Sequence, residues 1–208
     1  LAKYNHARDK TGYNNVGTGY EYGPNMGCKL QPIIRLTKNF NSVRTAIGNM
    51  QAVGDTNIPA GLIWGWHALS PNGPFGDGGP YGQQKRKKIV VLMTDGQNAN
   101  AVANGGNASY YSGIGYIWQN RIGIASGSAS TRSAALDSRL ALLCQNLKAA
   151  DPNIVVYTVR VEVNDQNFSV LKNCASSPGK FYDVQSASQL DGVFQNIASS
   201  IQNLRLAK

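Results

Sequence analysis

Acidic residues are scarce: 11 Asp+Glu against 20 Lys+Arg leave a net charge of +9 on 208 residues, and charged residues of either sign make up only 15%. Such a basic balance invites a nucleic-acid reading. The basic residues are scattered, however, apart from Lys85-Arg86-Lys87-Lys88, and no zinc-finger, RNP or helix-turn-helix spacing accompanies them, so no nucleic-acid partner is expected. That run directly precedes the most apolar stretch of the chain and reads as a solvated strand entrance. Histidine is nearly missing. Of His6 and His67, the latter sits beside Trp66 in a helical pattern, with no nucleophile that can be placed next to it, and reads as structural, as do Trp64 and Trp66. Three cysteines without a C-x-x-C pair argue against zinc. No run of about 18 apolar residues exists, so the chain contains no membrane-spanning helix pattern. The 23 glycines have no three-residue period, which excludes collagen.

What is present is an alternation of strand and helix patterns in a chain long enough for one domain with a full core. Lys88–Met93 and Ile154–Val161 are continuous β-branched runs of the kind buried on both faces of a parallel sheet. Lys180–Asp183 is a shorter third strand, and Pro32–Leu36 a weaker one near the start. Helical periodicity lies between them. Phe40, Val43, Ile47 and Met50 share one face; so do Ile58, Leu62, Trp66 and Leu69, and again Leu136, Leu140, Leu143, Cys144 and Leu147. The last helix opens on Ser186-Ala187-Ser188-Gln189, a capping box, and carries the stripe Leu190, Val193, Phe194, Ile197, Ile201 and Leu204.

This order predicts an α/β fold: a doubly wound, mostly parallel sheet with helices on both faces. Residues 1–27 form an irregular Gly/Asn/Tyr-rich segment, and the regular pattern occupies 28–208. Leu1 is not a methionine and the opening lacks the apolar core of a signal peptide, so an export signal or anchor is expected upstream. Residues 70–84 and 98–130 read as long loops, functional or mobile. In the second, the aromatic side chains of Tyr110, Tyr111 and Tyr116 offer a contact surface, with disorder as the alternative.

In an open parallel sheet, ligands bind beyond the carboxyl ends of the strands. The first residues past the strongest strand are Thr94-Asp95-Gly96-Gln97-Asn98, where a carboxylate either caps the turn or holds a hard cation. Gly54-Asp55-Thr56-Asn57-Ile58-Pro59 places a Thr just before a helix whose first turn accommodates Pro59, so the hydroxyl either caps that helix or ligates an ion. A phosphohydrolase built on Asp95 lacks a neighbouring second acid or cationic clamp, and no Gly-rich phosphate loop occurs; the chain is not expected to be an enzyme.

Taken together, the G-D-T-N-I-x-x-G-L loop and the apolar strand ending in M-T-D-G-x-N resemble a von Willebrand factor A (vWA) domain. Trp64–Pro71, Lys87–Asn98, Arg139–Cys144 with Lys148, and Asn173–Ser176 are similar to the vWA region of TadG-like Flp pilus-assembly proteins. The resemblance runs from about Cys28 to the C-terminus. It implies a metal-ion-dependent adhesion site for Mg²⁺ or Mn²⁺, with Thr56 as hydroxyl ligand, Asp95 as carboxylate ligand, and Asp55 or Asn98 in support. An acidic residue of a protein partner would complete the ion's coordination. The family's D-x-S-x-S loop, which follows its first, central strand, occurs nowhere in these residues. That strand is therefore expected upstream of Leu1, and Thr56 and Asp95 amount to half a site. The implied role is a non-enzymatic, extracytoplasmic binding module in pilus assembly or adhesion, anchored through an upstream segment. The alternative is a metal-free structural scaffold of a pilus-assembly complex.

Cys144 lies on the helix before the second long strand and Cys174 on the helix after it. If both crossovers run the same way, right-handedness puts these helices side by side on one face, within reach of a disulfide. Two buried thiols are the alternative; the disulfide is favoured and fits an oxidising, exported location. Cys28 is left to pair elsewhere or remain free.

Overall fold

The computed structural model describes residues 30–51, 54–103, 107–162 and 169–206. The segment 1–27, His6 and Cys28 lie outside them, as does the side chain of Leu204. The chain divides into two compact units, one made of residues up to Asn57 together with Ala99–Leu136, the other of Ile58–Asn98 and Asp137 onward.

The second unit holds a parallel sheet of three strands in the order β1-β2-β3, with β1 Lys88–Thr94, β2 Ile154–Val161 and β3 Phe181–Val184. The register runs Lys88↔Ile154 to Thr94↔Arg160, and Thr158↔Phe181 to Val161↔Val184. Five helices complete the described residues: α1 Phe40–Gly48, α2 Ile58–Leu69, α3 Ala129–Ala150, α4 Ser169–Cys174 and α5 Leu190–Leu206. The fold is mixed α/β. Among the described residues no helix is long and apolar enough to cross a membrane.

The period-2 alternation of the strands sorts their side chains onto two faces. Val90, Leu92, Ile154 and Val156 share a core with Ile58 and Leu62 of α2, Leu140, Cys144 and Leu147 of α3, and Leu171 and Cys174 of α4. Tyr157, Val159, Val161 and Val184 face the other way, onto Val193 and Ile197 of α5. Thus α3 and α4, the two crossover helices, cover the same face, as two crossovers of one hand must. Cys144 and Cys174 there form a disulfide across a Cα separation of 5.1 Å. Lys148 of α3 donates to the Asn173 carbonyl beside it (2.8 Å).

The last helix starts where its serine and glutamine indicate, with one adjustment. A 3-10 turn, Ala187–Gln189, precedes α5, and the Gln189 amide oxygen accepts from the N–H of Gln185 rather than from that of Ser186. The Glu162 carboxylate accepts from the Ala187 N–H (2.8 Å), a negative charge at a helix start. Phe194 departs from the expected stripe and is exposed.

Three further expectations fail for stated reasons. Pro32–Leu36 is not a strand: a strand exists through its ladder, and the ladders among the described residues join only β1, β2 and β3. The helix expected to carry Phe40, Val43, Ile47 and Met50 on one face does form, with Asn39 accepting from the Ser42 N–H at its start (3.2 Å), but it ends at Gly48, short of Met50, and buries none of its residues. Finally, Lys88 is not a solvated strand entrance. Lys85, Arg86 and Lys87 are exposed, whereas Lys88 is 5% exposed because unpaired carbonyls at the end of α2 await it.

The expected loop over residues 70–84 folds back on the end of α2. Lys88 Nζ donates to the carbonyl of Leu69 (2.6 Å) and to that of Gly79, and lies over the Tyr81 ring, 4.3 Å from its centroid. Tyr81 accepts from the Trp66 indole N–H (2.9 Å), Asp151 accepts from the Gly82 N–H (3.3 Å), and the Asn153 amide donates to the Gln83 carbonyl (3.2 Å). Gly78 passes so close to the end of α2 that a Cβ there would meet the Leu69 carbonyl oxygen at 1.9 Å.

Candidate functional site

The carboxyl ends of the strands gather the polar groups of the sheet. Thr94, Arg160 and Asp183 occupy one register row across β1, β2 and β3. Arg160 is buried, and its Nε lies 3.7 Å from the Asp183 carboxylate. A single Arg inside an otherwise apolar strand run was the one signal in the sequence that a charge is held here. The Thr94 hydroxyl shapes the turn that follows, donating to the Gly96 carbonyl (3.0 Å) and accepting from the Gly96 N–H (3.3 Å). Asp95, at the head of that turn, is exposed to solvent.

Asn98 ends this loop and is buried. Its side-chain oxygen accepts from the Ile58 N–H (2.9 Å), so it caps the first turn of α2 from 40 residues away, and its amide donates to Asp137 of α3 (2.8 Å). An orphan donor at a helix start is normally satisfied by the residue just before it. Here a distant side chain satisfies the Ile58 N–H. Asp137 is the residue that sequence reasoning overlooked: it looks like an ordinary polar position on α3, and only the packing brings it to Asn98.

In the first unit, Thr56 is half-buried, and its carbonyl accepts from the Ala99 N–H (2.8 Å). Asp55 is exposed, and its carboxylate accepts from the Ala101 N–H (2.7 Å). Thr56 and Asp55 thus belong to one unit, and Asp95 and Asn98 to the other. Among the described residues no three His, Cys, Asp or Glu side chains form a metal-binding group. One carboxylate and one hydroxyl are nonetheless the hard oxygen donors that Mg²⁺ takes, and that ion commonly keeps several waters beside one or two protein ligands. The donors fit in kind and are few in number.

His67 makes an edge-on ring contact with Trp64 (5.4 Å between centroids).

The loop over 98–130 is organised around a buried cation that the sequence did not advertise. Arg132, 2% exposed, sends Nε to the Gly127 carbonyl (2.9 Å), one terminal nitrogen to the Ala101 carbonyl (3.0 Å) and the Asn100 amide oxygen (3.4 Å), and the other to the Ala108 carbonyl (2.9 Å). Beside it Ile117, Ile122 and Leu136 form a small core.

The chain matches no protein-family profile and no curated protein. Among solved structures it is similar to the pilus adhesin SpaC from Lactobacillus rhamnosus GG, at 18% identity and a TM-score of 0.48 over 81% of this chain and 22% of that one. It is also similar to proximal thread matrix protein 1 from the mussel byssus, at 19% identity and a TM-score of 0.41 over 76% of this chain and 28% of that one. The chain therefore spans about a quarter of the length of these proteins.

Proposed function

We propose that this chain is part of an extracytoplasmic, non-enzymatic vWA-type binding module in pilus assembly or adhesion, and that Thr56 and Asp95 contribute to a site for Mg²⁺ or Mn²⁺. The observation that carries the reading is the end of β1: the most apolar strand delivers an exposed carboxylate, Asp95, just beyond the sheet, on a turn shaped by Thr94. The order of the G-D-T-N-I and M-T-D-G-x-N motifs supports it, and the Cys144–Cys174 disulfide is what an oxidising compartment permits. A bound cation would supply a positive centre on which a partner's carboxylate displaces water. The chain's own part is to hold the Asp95 carboxylate in solvent.

Calorimetric titration of Mg²⁺ and Mn²⁺ into the protein tests this, with Thr56→Ala and Asp95→Ala alongside. Saturable heat that disappears in both variants is expected. No heat, or heat unchanged in the variants, leaves the metal-free scaffold, the reading favoured by the small number of ligands among the described residues.

A further inference from the structure

Four large hydrophobic or aromatic side chains are exposed among the described residues of 98–130, and three of them are aromatic: Tyr110, Tyr111 and Trp118. They are not loose. Tyr116, fully packed in the loop, is the middle of a row, edge-on to Tyr111 (5.3 Å between centroids, 74°) and nearly parallel to Trp118 (6.2 Å, 15°). The two ends of the row stay open, Tyr111 at 41% and Trp118 at 45% exposure. The Trp118 indole is held in its plane by a bond from Nε1 to Asn107 (3.0 Å), and the backbone beneath is fixed by Arg132.

Aromatic side chains order cheaply and give large contact areas, and Asn, Ser and Gly around them supply adaptable hydrogen bonds. Here the rings are already ordered, so binding costs little further entropy. Charge decides the class of ligand. Residues 98–130 contain no Asp, Glu, Lys or His, and Arg121 is their only charged side chain. A charged ligand finds a single exposed partner here, Arg121, whereas a neutral one that is apolar on its faces and hydroxylated at its edges matches the rest of the surface.

We infer that the Tyr111–Tyr116–Trp118 row is a binding platform for an uncharged saccharide chain. The C–H faces of a pyranose carry slight positive charge and meet the negative faces of the exposed rings; its hydroxyls bond to the surrounding amides and hydroxyls. The row belongs to the first unit and Asp95 to the second, and binding to the row calls for no cation.

Binding of cellohexaose, chitohexaose, maltohexaose and an array of neutral glycans, read by calorimetry and tryptophan fluorescence in the presence of EDTA, tests the inference. At least one neutral glycan is expected to bind saturably and with little salt dependence. Trp118→Ala and Tyr111→Ala should each weaken it by about tenfold or more, and Trp118→Phe should retain much of it. Circular dichroism and the thermal midpoint check that both variants fold, and Tyr111→Ala alone carries the loss test should Trp118→Ala unfold. Absence of binding across the array overturns the inference. So does binding that survives both ring deletions, or binding confined to anionic glycans and abolished by salt, or a ring-dependent association with protein alone.

Discussion

Lys88→Met removes an ammonium that fastens the 70–84 loop to the end of α2. In the native protein that group bonds to two carbonyls, of Leu69 and Gly79, and lies over the Tyr81 ring. Leaving two half-buried carbonyls without this donor costs about 1 kcal/mol each, the cation–π contact adds about 0.5–1 kcal/mol, and a cation at a helix end about 0.3–1 kcal/mol. Against this, methionine escapes the desolvation that the buried ammonium suffers, an effect of several kcal/mol in the opposite direction. The expected net loss is about 2 kcal/mol at neutral pH, measured by urea unfolding. The pH dependence sharpens the test. Burial lowers the pKa of Lys88 below the ordinary 10.5, with Asp151 opposing the shift and Arg86 adding to it. The folded protein thus releases this proton at a lower pH than the unfolded chain does. Between the lowered value and 10.5 the unfolded chain binds more protons, so the contribution of Lys88 to stability rises with pH in that window. The gap between wild type and Lys88→Met should therefore widen as the pH rises toward 10.5. A loss below about 0.5 kcal/mol, or a gap that narrows with rising pH, refutes the placement of a buried ammonium at this helix end.

Replacing both Cys144 and Cys174 by Ala opens a loop with a sequence separation of 30, which chain entropy values at about 3.6 kcal/mol; unfolding with and without reductant should show this loss in the wild type and none in the variant. Arg132→Met leaves the carbonyls of Ala101, Ala108 and Gly127 without their donor, at a cost of about 3–5 kcal/mol, and amide exchange should rise in residues 98–130 before it rises in β2. Asn98→Ala removes the cap of α2 and the bond to Asp137 together and should lower stability by about 1–3 kcal/mol, whereas Asn98→Asp should recover the cap while losing its donation to Asp137.

Periodicity along the chain was enough to locate β1, β2, α2, α3 and α5, because each carries an apolar stripe long enough to show its own repeat, and a stripe records which face is buried regardless of what buries it. The Cys144–Cys174 pairing followed from handedness, since two crossovers of the same sense must stack their helices on one face. Asp95 was legible for the same reason: it comes directly after an unmistakable strand, and the end of a parallel strand is a fixed place. Other features depend on groups distant in sequence. Nothing local marks Lys88 as buried in a run of four basic residues, Arg132 as the centre of a glycine-rich loop, or Asn98 as the cap of a helix 40 residues earlier. Each is a polar side chain meeting backbone groups that lack partners, and where those groups lie is decided only once helices have ended and loops have closed. Conversely, Pro32–Leu36 has a strand-like composition without a ladder, because pairing belongs to the neighbour as much as to the segment. Local sequence determines which elements can form; the unsatisfied carbonyls and amides at their ends determine which charges the tertiary structure buries.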